Sequence, residues 1–138
     1  FAELADGSVL QNARTQASAR QRLQSISRDG GVTWQLAALR PDLVDPVCMG
    51  SLIRVGFMPD LLAFSNPEYA AGRSNGVLKL SHDGGMTWNR AAVIDSGSFA
   101  YSSLVALPKN RIGVLYEQVT KVNGKDGYTI LYREISLP

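Results

Sequence analysis

Cysteine is nearly absent from this 138-residue chain: Cys48 stands alone, so no disulfide can close within it. That excludes a small secreted domain stapled by disulfides, and a lone thiol of this kind reads as a small buried hydrophobe. Histidine is as scarce, with His82 the single example, and no cysteine–histidine cluster supports a zinc site. Long apolar runs are missing too, the nearest being broken by glycine, proline or charge, so nothing reads as a membrane span. Charge of one sign is also lacking. The formal net charge is +2 and the 14 basic residues are scattered, which leaves no footprint for nucleic acid or an anionic membrane. If several arginines converge in the fold, a small acidic ligand suits them better than a polyanion. No phosphate loop or dinucleotide fingerprint occurs, so no cofactor is expected. Helical periodicity is absent as well: the nearest candidate, Thr15–Gln24, has no apolar stripe.

What the chain does contain is a repeat. Ser27-Arg28-Asp29-Gly30-Gly31-Val32-Thr33-Trp34 recurs as Ser81-His82-Asp83-Gly84-Gly85-Met86-Thr87-Trp88, from position 27 to position 81, an offset of 54 residues. The likeness extends outward, with Leu23 and Ile26 matching Val77 and Leu80, and Ala37-Ala38-Leu39 matching Ala91-Ala92-Val93. Each copy reads as strand, tight turn, strand. Asp-Gly-Gly supplies residues that tolerate positive φ. The aspartate can accept hydrogen bonds from the turn's own N–H groups with the Ser and Thr hydroxyls assisting, while the tryptophan folds back as an apolar anchor. These are fold elements, and the extra oxygens that a calcium loop requires are missing.

Other short strands are expected at Ser8–Asn12, Ser51–Val55, Leu61–Ser65, Ser102–Leu107, Arg111–Tyr116 and Thr129–Ile135, with turns at Pro108-Lys109-Asn110 and Lys125-Asp126-Gly127. About ten strands, grouped by fours at a period of ~50 residues, are the signature of a β-propeller. The fold class is all-β, and the length suffices for two and a half to three blades of four-stranded antiparallel sheet. A propeller usually has four to eight blades, so the rest of the ring is expected from another part of the same protein or from another chain. Phe1-Ala2-Glu3-Leu4 reads as the end of a strand entering a turn, which fits an upstream portion.

The doubled Ser-x-Asp-x-Gly-x-Thr-Trp resembles the Asp-box of sialidases, which are six-bladed propellers. Further pieces carry the same resemblance in the same order: Asn12-Ala13-Arg14, Asp45-Pro46-Val47-Cys48-Met49-Gly50-Ser51, Ser65-Asn66-Pro67 with Arg73, Ala100-Tyr101-Ser102 and Leu115-Tyr116-Glu117. It implies that residues 1–138 form the C-terminal half of a sialidase-like catalytic propeller. It also implies an exo-α-sialidase that releases terminal sialic acid from glycoconjugates with retention. In that reading Arg14 and Arg73 hold the sugar's carboxylate, Tyr101 is the nucleophile, and Glu117 orients a further arginine. Ser27, Asp29, Gly31, Trp34, Ser81, Asp83, Gly85 and Trp88 are the structural Asp-box residues. The first arginine of the triad, the aspartate acid/base and the glutamate that activates the tyrosine would belong to the missing half. Glu3 lies close to that glutamate's place without matching it and is assigned no role, and the chain alone is expected to be inactive. The partners implied are sialylated glycans and the missing blades, in a secreted, cell-surface or lumenal setting.

The chemistry suits these residue types. Arginine presents a planar fork of donors to a carboxylate. A carboxylate nucleophile would be repelled by the substrate's own, whereas a neutral phenol is not. A phenol, with its reference pKa near ~10, needs an adjacent base. Tyr69, Tyr116, Tyr128 and Tyr132 read instead as packing residues, and His82 as exposed. The alternative is a non-catalytic Asp-box propeller that binds glycans or proteins, which would not need Arg14, Arg73, Tyr101 and Glu117 to face one cavity. A trans-sialidase would use the same chemistry, with acceptor choice set at the rim.

Overall fold

The computed structural model describes residues 1–16, 18–56 and 60–137. Eleven strands follow one another: β1 (Ala2–Glu3), β2 (Val9–Ala13), β3 (Gln21–Ser27), β4 (Ala38–Val44), β5 (Ser51–Gly56), β6 (Leu61–Pro67), β7 (Ser74–Ser81), β8 (Asn89–Ser98), β9 (Ser102–Leu107), β10 (Arg111–Val122) and β11 (Lys125–Ser136). Among the described residues there is no helix, and so none long and apolar enough to cross a membrane. Strands that follow one another in sequence pair antiparallel, except β4 with β5 and β8 with β9, which do not pair. The result is a sheet of β1–β4, a sheet of β5–β8 and a three-stranded sheet of β9–β11. These are the expected blades of a β-propeller, the third with three strands.

The Asp-box turns are built as their composition requires, and the two copies agree closely. Ser27 Oγ donates to Asp29 Oδ1 at 2.8 Å and accepts from Gly31 N at 2.8 Å; the Thr33 N–H and hydroxyl donate to the two Asp29 oxygens at 2.8 and 2.5 Å. In the second copy the same bonds, from Ser81, Gly85 and Thr87 around Asp83, measure 2.8, 2.8, 2.9 and 2.6 Å. The glycine pairs take positive φ in both, 72° and 96° at Gly30 and Gly31, 69° and 85° at Gly84 and Gly85.

The two tryptophans differ, which corrects the expectation of an anchor in each. Trp88 is 7% exposed, tilted against Phe64 at 5.8 Å and packed with Leu4, Leu10, Leu43 and Leu62 between the first two sheets. Trp34 is 37% exposed and touches Phe1, with its Nε1 donating to Gly31 O at 3.1 Å. The cause is position in the array. The second Asp-box lies against the first sheet, where Arg40 on β4 donates to the carbonyls of Gly85 and Met86. Among the described residues no sheet lies in that place against the first Asp-box. Tyr69, Tyr128 and Tyr132, expected as packing residues, are likewise more than half exposed, and only Tyr116 is buried.

A second core joins the second and third sheets through Leu78, Ile94, Phe99, Ile112, Val114 and Tyr116, with the Phe99 and Tyr116 rings stacked at 4.9 Å. The last hairpin corrects another expectation. Lys125-Asp126-Gly127 belongs to β11, where Asp126 faces Lys121 and pairs with its ammonium. The turn is Asn123-Gly124, at φ 52° and 76°, the two-residue geometry that matches the twist of its strands. The hairpin therefore runs on to Val122 and begins its return at Lys125, well past the expected bounds.

Candidate active site

Arg14, Arg73, Tyr101 and Glu117 come from four separate stretches of the chain and meet at one edge of the three sheets. Arg14 leaves the end of β2, and its Nη1 donates to the Tyr101 hydroxyl at 3.2 Å. Arg73 ends the β6–β7 loop and sets its guanidinium over the Tyr101 ring, 5.0 Å from the centroid. That is cation–π geometry. Burial works against Arg73's charge, but its interactions with Cys48 and Tyr101 outweigh that and raise its pKa above the ordinary arginine value.

Backbone pairing explains why these groups meet. Tyr101 stands one residue before β9, and its carbonyl accepts from Glu117 N at 2.9 Å, while Ala100 N donates to Glu117 O at 2.8 Å. Glu117 also accepts from the Tyr101 N–H through Oε2 at 3.4 Å. Phe99 N donates to Arg73 O at 2.9 Å, which fixes the arginine's loop to the tyrosine's segment. Beneath them the Ser65 and Ser102 hydroxyls share a buried hydrogen bond of 2.8 Å. Glu3 is exposed on β1, and His82 is exposed on its turn.

Tyr101 and Met49 border two hollows. One, of about 420 Å³, is lined by Asn12, Arg14, Arg22, Met49, Gly50 and Tyr101, a set with no carboxylate. The other, of about 230 Å³, runs from Tyr101 past Glu117 to Leu115 and Ile130.

Sequence reading missed the group that supports Arg14. Arg22 is 2% exposed and Asp45 1%, and their charges face each other at 3.6 Å. Arg22 donates to Asn12 Oδ1 at 2.7 Å, Asn12 O at 3.3 Å and Cys48 O at 2.7 Å. Asp45 accepts from Cys48 N at 2.9 Å and from Thr15 N at 3.2 Å. Arg14 is thus held from both sides, by Arg22 through Asn12 and by Asp45 through Thr15. The same pair closes the turn containing Val47, a β-branched residue at φ 62°, a conformation that costs energy and persists only where its surroundings enforce it. Cys48 is wholly buried, as expected, and burial pushes its thiol up. The sequence carries no sign of it, because in β3 the polar Arg22, Gln24, Ser25 and Ser27 are the buried residues while Leu23 and Ile26 are only partly covered, the reverse of what polarity suggests.

Comparison with known proteins identifies the family and the fold. Residues 1–114 match the family described as BNR repeat-like domain. The chain is 38% identical over 129 residues to a sialidase of Micromonospora viridifaciens, covering 87% of this chain and 20% of that protein. It is also 38% identical over 125 residues to a sialidase of Bacteroides fragilis, covering 84% of this chain and 23% of that one. The solved structure of a Hadza microbial sialidase, Hz136, superimposes with a TM-score of 0.75 at 37% identity, over 85% of this chain and 24% of the other. The chain therefore spans about a fifth of the curated relatives it matches. From repeat, blades and sequence together, the chain belongs to the BNR repeat-like domain family and is similar, in sequence and in fold, to sialidases.

Proposed function

We propose that this chain is the C-terminal half of a sialidase's catalytic propeller and contributes the carboxylate clamp and the nucleophile of an exo-α-sialidase. The observation that carries this reading is the meeting of Arg14, Arg73 and Tyr101, with one guanidinium at the phenol oxygen and the other over its ring. A non-catalytic propeller has no need of that convergence.

The substrate's carboxylate lies on Arg14 and Arg73, where charge-assisted hydrogen bonds each contribute roughly 1.5–3 kcal/mol. Tyr101 attacks the anomeric carbon as its proton passes to a base supplied by the missing blades. The bond to the leaving glycan oxygen breaks, and that oxygen takes a proton from an acid in the same blades. Water then cleaves the sialyl–tyrosine bond, returns the phenol and releases sialic acid with retained configuration. The use of tyrosine where other retaining glycosidases use a carboxylate suits a substrate that is itself an anion. Glu117, beside the Tyr101 backbone, orients a third arginine from the missing half.

The test is Tyr101→Phe in the intact enzyme. Loss of ordinary turnover with sialoside binding retained is expected; near-normal release of sialic acid eliminates Tyr101 as nucleophile. The isolated 138-residue chain is expected to be inactive, and full activity from it contradicts the assignment of the base to another part of the propeller.

A further inference from the structure

Asn12 presents a donor that none of the described residues uses. Its amide orientation is fixed by chemistry, because Arg22 Nε, 2.7 Å away, can only donate and must therefore face the amide oxygen. The NH₂ group is left on the opposite side. It is buried, and among the described residues it has no hydrogen-bond partner. An unpaired buried donor costs about 1–3 kcal/mol, so most such groups are satisfied and the exceptions call for an explanation. Asn12 borders the cleft that also contains Arg14 and Tyr101. It stands two residues before Arg14, a spacing that turns both side chains to one side of an extended segment.

Arg22 is committed largely to the fold. It donates from each of its three nitrogens, to Asn12 Oδ1, Asn12 O and Cys48 O, and Asp45 balances its charge. Its bonds aim Asn12.

We infer that the Asn12 amide NH₂ is a ligand-binding donor of this cleft, oriented by the Arg22–Asp45 pair and directed at an oxygen of the acidic sugar on Arg14. The inference rests on the proposed sialic-acid site. Asn12→Asp is the decisive variant, because its carboxylate can still accept from Arg22 and so preserves the structural bond. Yet it removes the donor and sets a negative charge against an anionic ligand.

The measurement is calorimetric titration of the intact protein with N-acetylneuraminic acid, with a thermal melt of each variant alongside. Asn12→Ala is expected to weaken binding about tenfold and Asn12→Asp roughly a hundredfold, with each variant still unfolding in a single cooperative transition above the titration temperature. Wild-type affinity in Asn12→Asp overturns the inference and leaves the arginine clamp standing. A wild-type protein that binds no N-acetylneuraminic acid overturns both.

Discussion

Arg14 Nη1 lies 3.2 Å from the Tyr101 hydroxyl although 87 positions separate the two residues in the chain. In the proposed mechanism the arginine binds charge and the phenol reacts, so altering the arginine should change recognition more than chemistry. Arg14→Lys in the intact enzyme retains a positive charge but loses the planar fork. The expected result is a KM for sialosides raised about tenfold or more with kcat changed much less. Steady-state kinetics on a soluble sialoside reads both values.

The Arg22–Asp45 pair should matter to stability before it matters to binding. Arg22→Ala leaves the Asp45 carboxylate buried without its cation, at a cost of about 3–5 kcal/mol. Replacing both residues, Arg22→Met with Asp45→Asn, removes the stranded charge and should recover part of that loss. Urea denaturation of the wild type and the two variants gives the comparison.

Acid should loosen the Asp-box turns. Asp29 is held down to about 2, from an ordinary 3.8, first by the Thr33 hydroxyl and then by the Thr33 N–H and Ser27. Burial pushes Asp83 up, but the matching bonds from Thr87 and Ser81 prevail and lower it. Groups whose folded-state pKa is depressed add stability that is complete above the unfolded value and lost as pH falls through the folded one. The melting temperature should therefore be flat above about pH 5 and fall between about 4 and 2. Asp29→Asn with Asp83→Asn should melt lower at neutral pH and show a shallower acid slope, as followed by circular dichroism.

The unequal tryptophans give a further test. In the 138-residue chain Trp88→Ala should cost about 3–5 kcal/mol, as deletion of a buried aromatic does. Trp34→Ala should cost about 1 kcal/mol or less in the same chain. In the intact protein a blade seated on the first sheet would raise the Trp34 cost toward the Trp88 value. Equal and small costs in both settings would contradict a neighbouring blade at that face.

Much of this was legible in the sequence because the signals are local. The Asp-box states its turn, its hydrogen bonds and its glycine φ values within eight residues, and its recurrence revealed the blade period. The meeting of Arg14, Arg73, Tyr101 and Glu117 came from motif resemblance, and the fold brings all four together. What stayed hidden depends on neighbours distant in sequence. Arg22 reads as an ordinary strand arginine until Asp45 and Cys48 are folded against it. Trp34 and Trp88 carry the same motif, and only the adjoining sheet distinguishes them. The last turn was misplaced because Asp126-Gly127 and Asn123-Gly124 are both good turn pairs, and the register of β10 against β11 selects the second.

The most direct test uses a fluorinated sialyl donor whose covalent intermediate forms readily and hydrolyses slowly. The intact enzyme is quenched during reaction and its peptides are mapped by tandem mass spectrometry. One sialyl adduct is expected, on the Tyr101 oxygen, and it should disappear in Tyr101→Phe. An adduct on any other residue, or undiminished labelling of the Tyr101→Phe protein, would contradict Tyr101 as nucleophile.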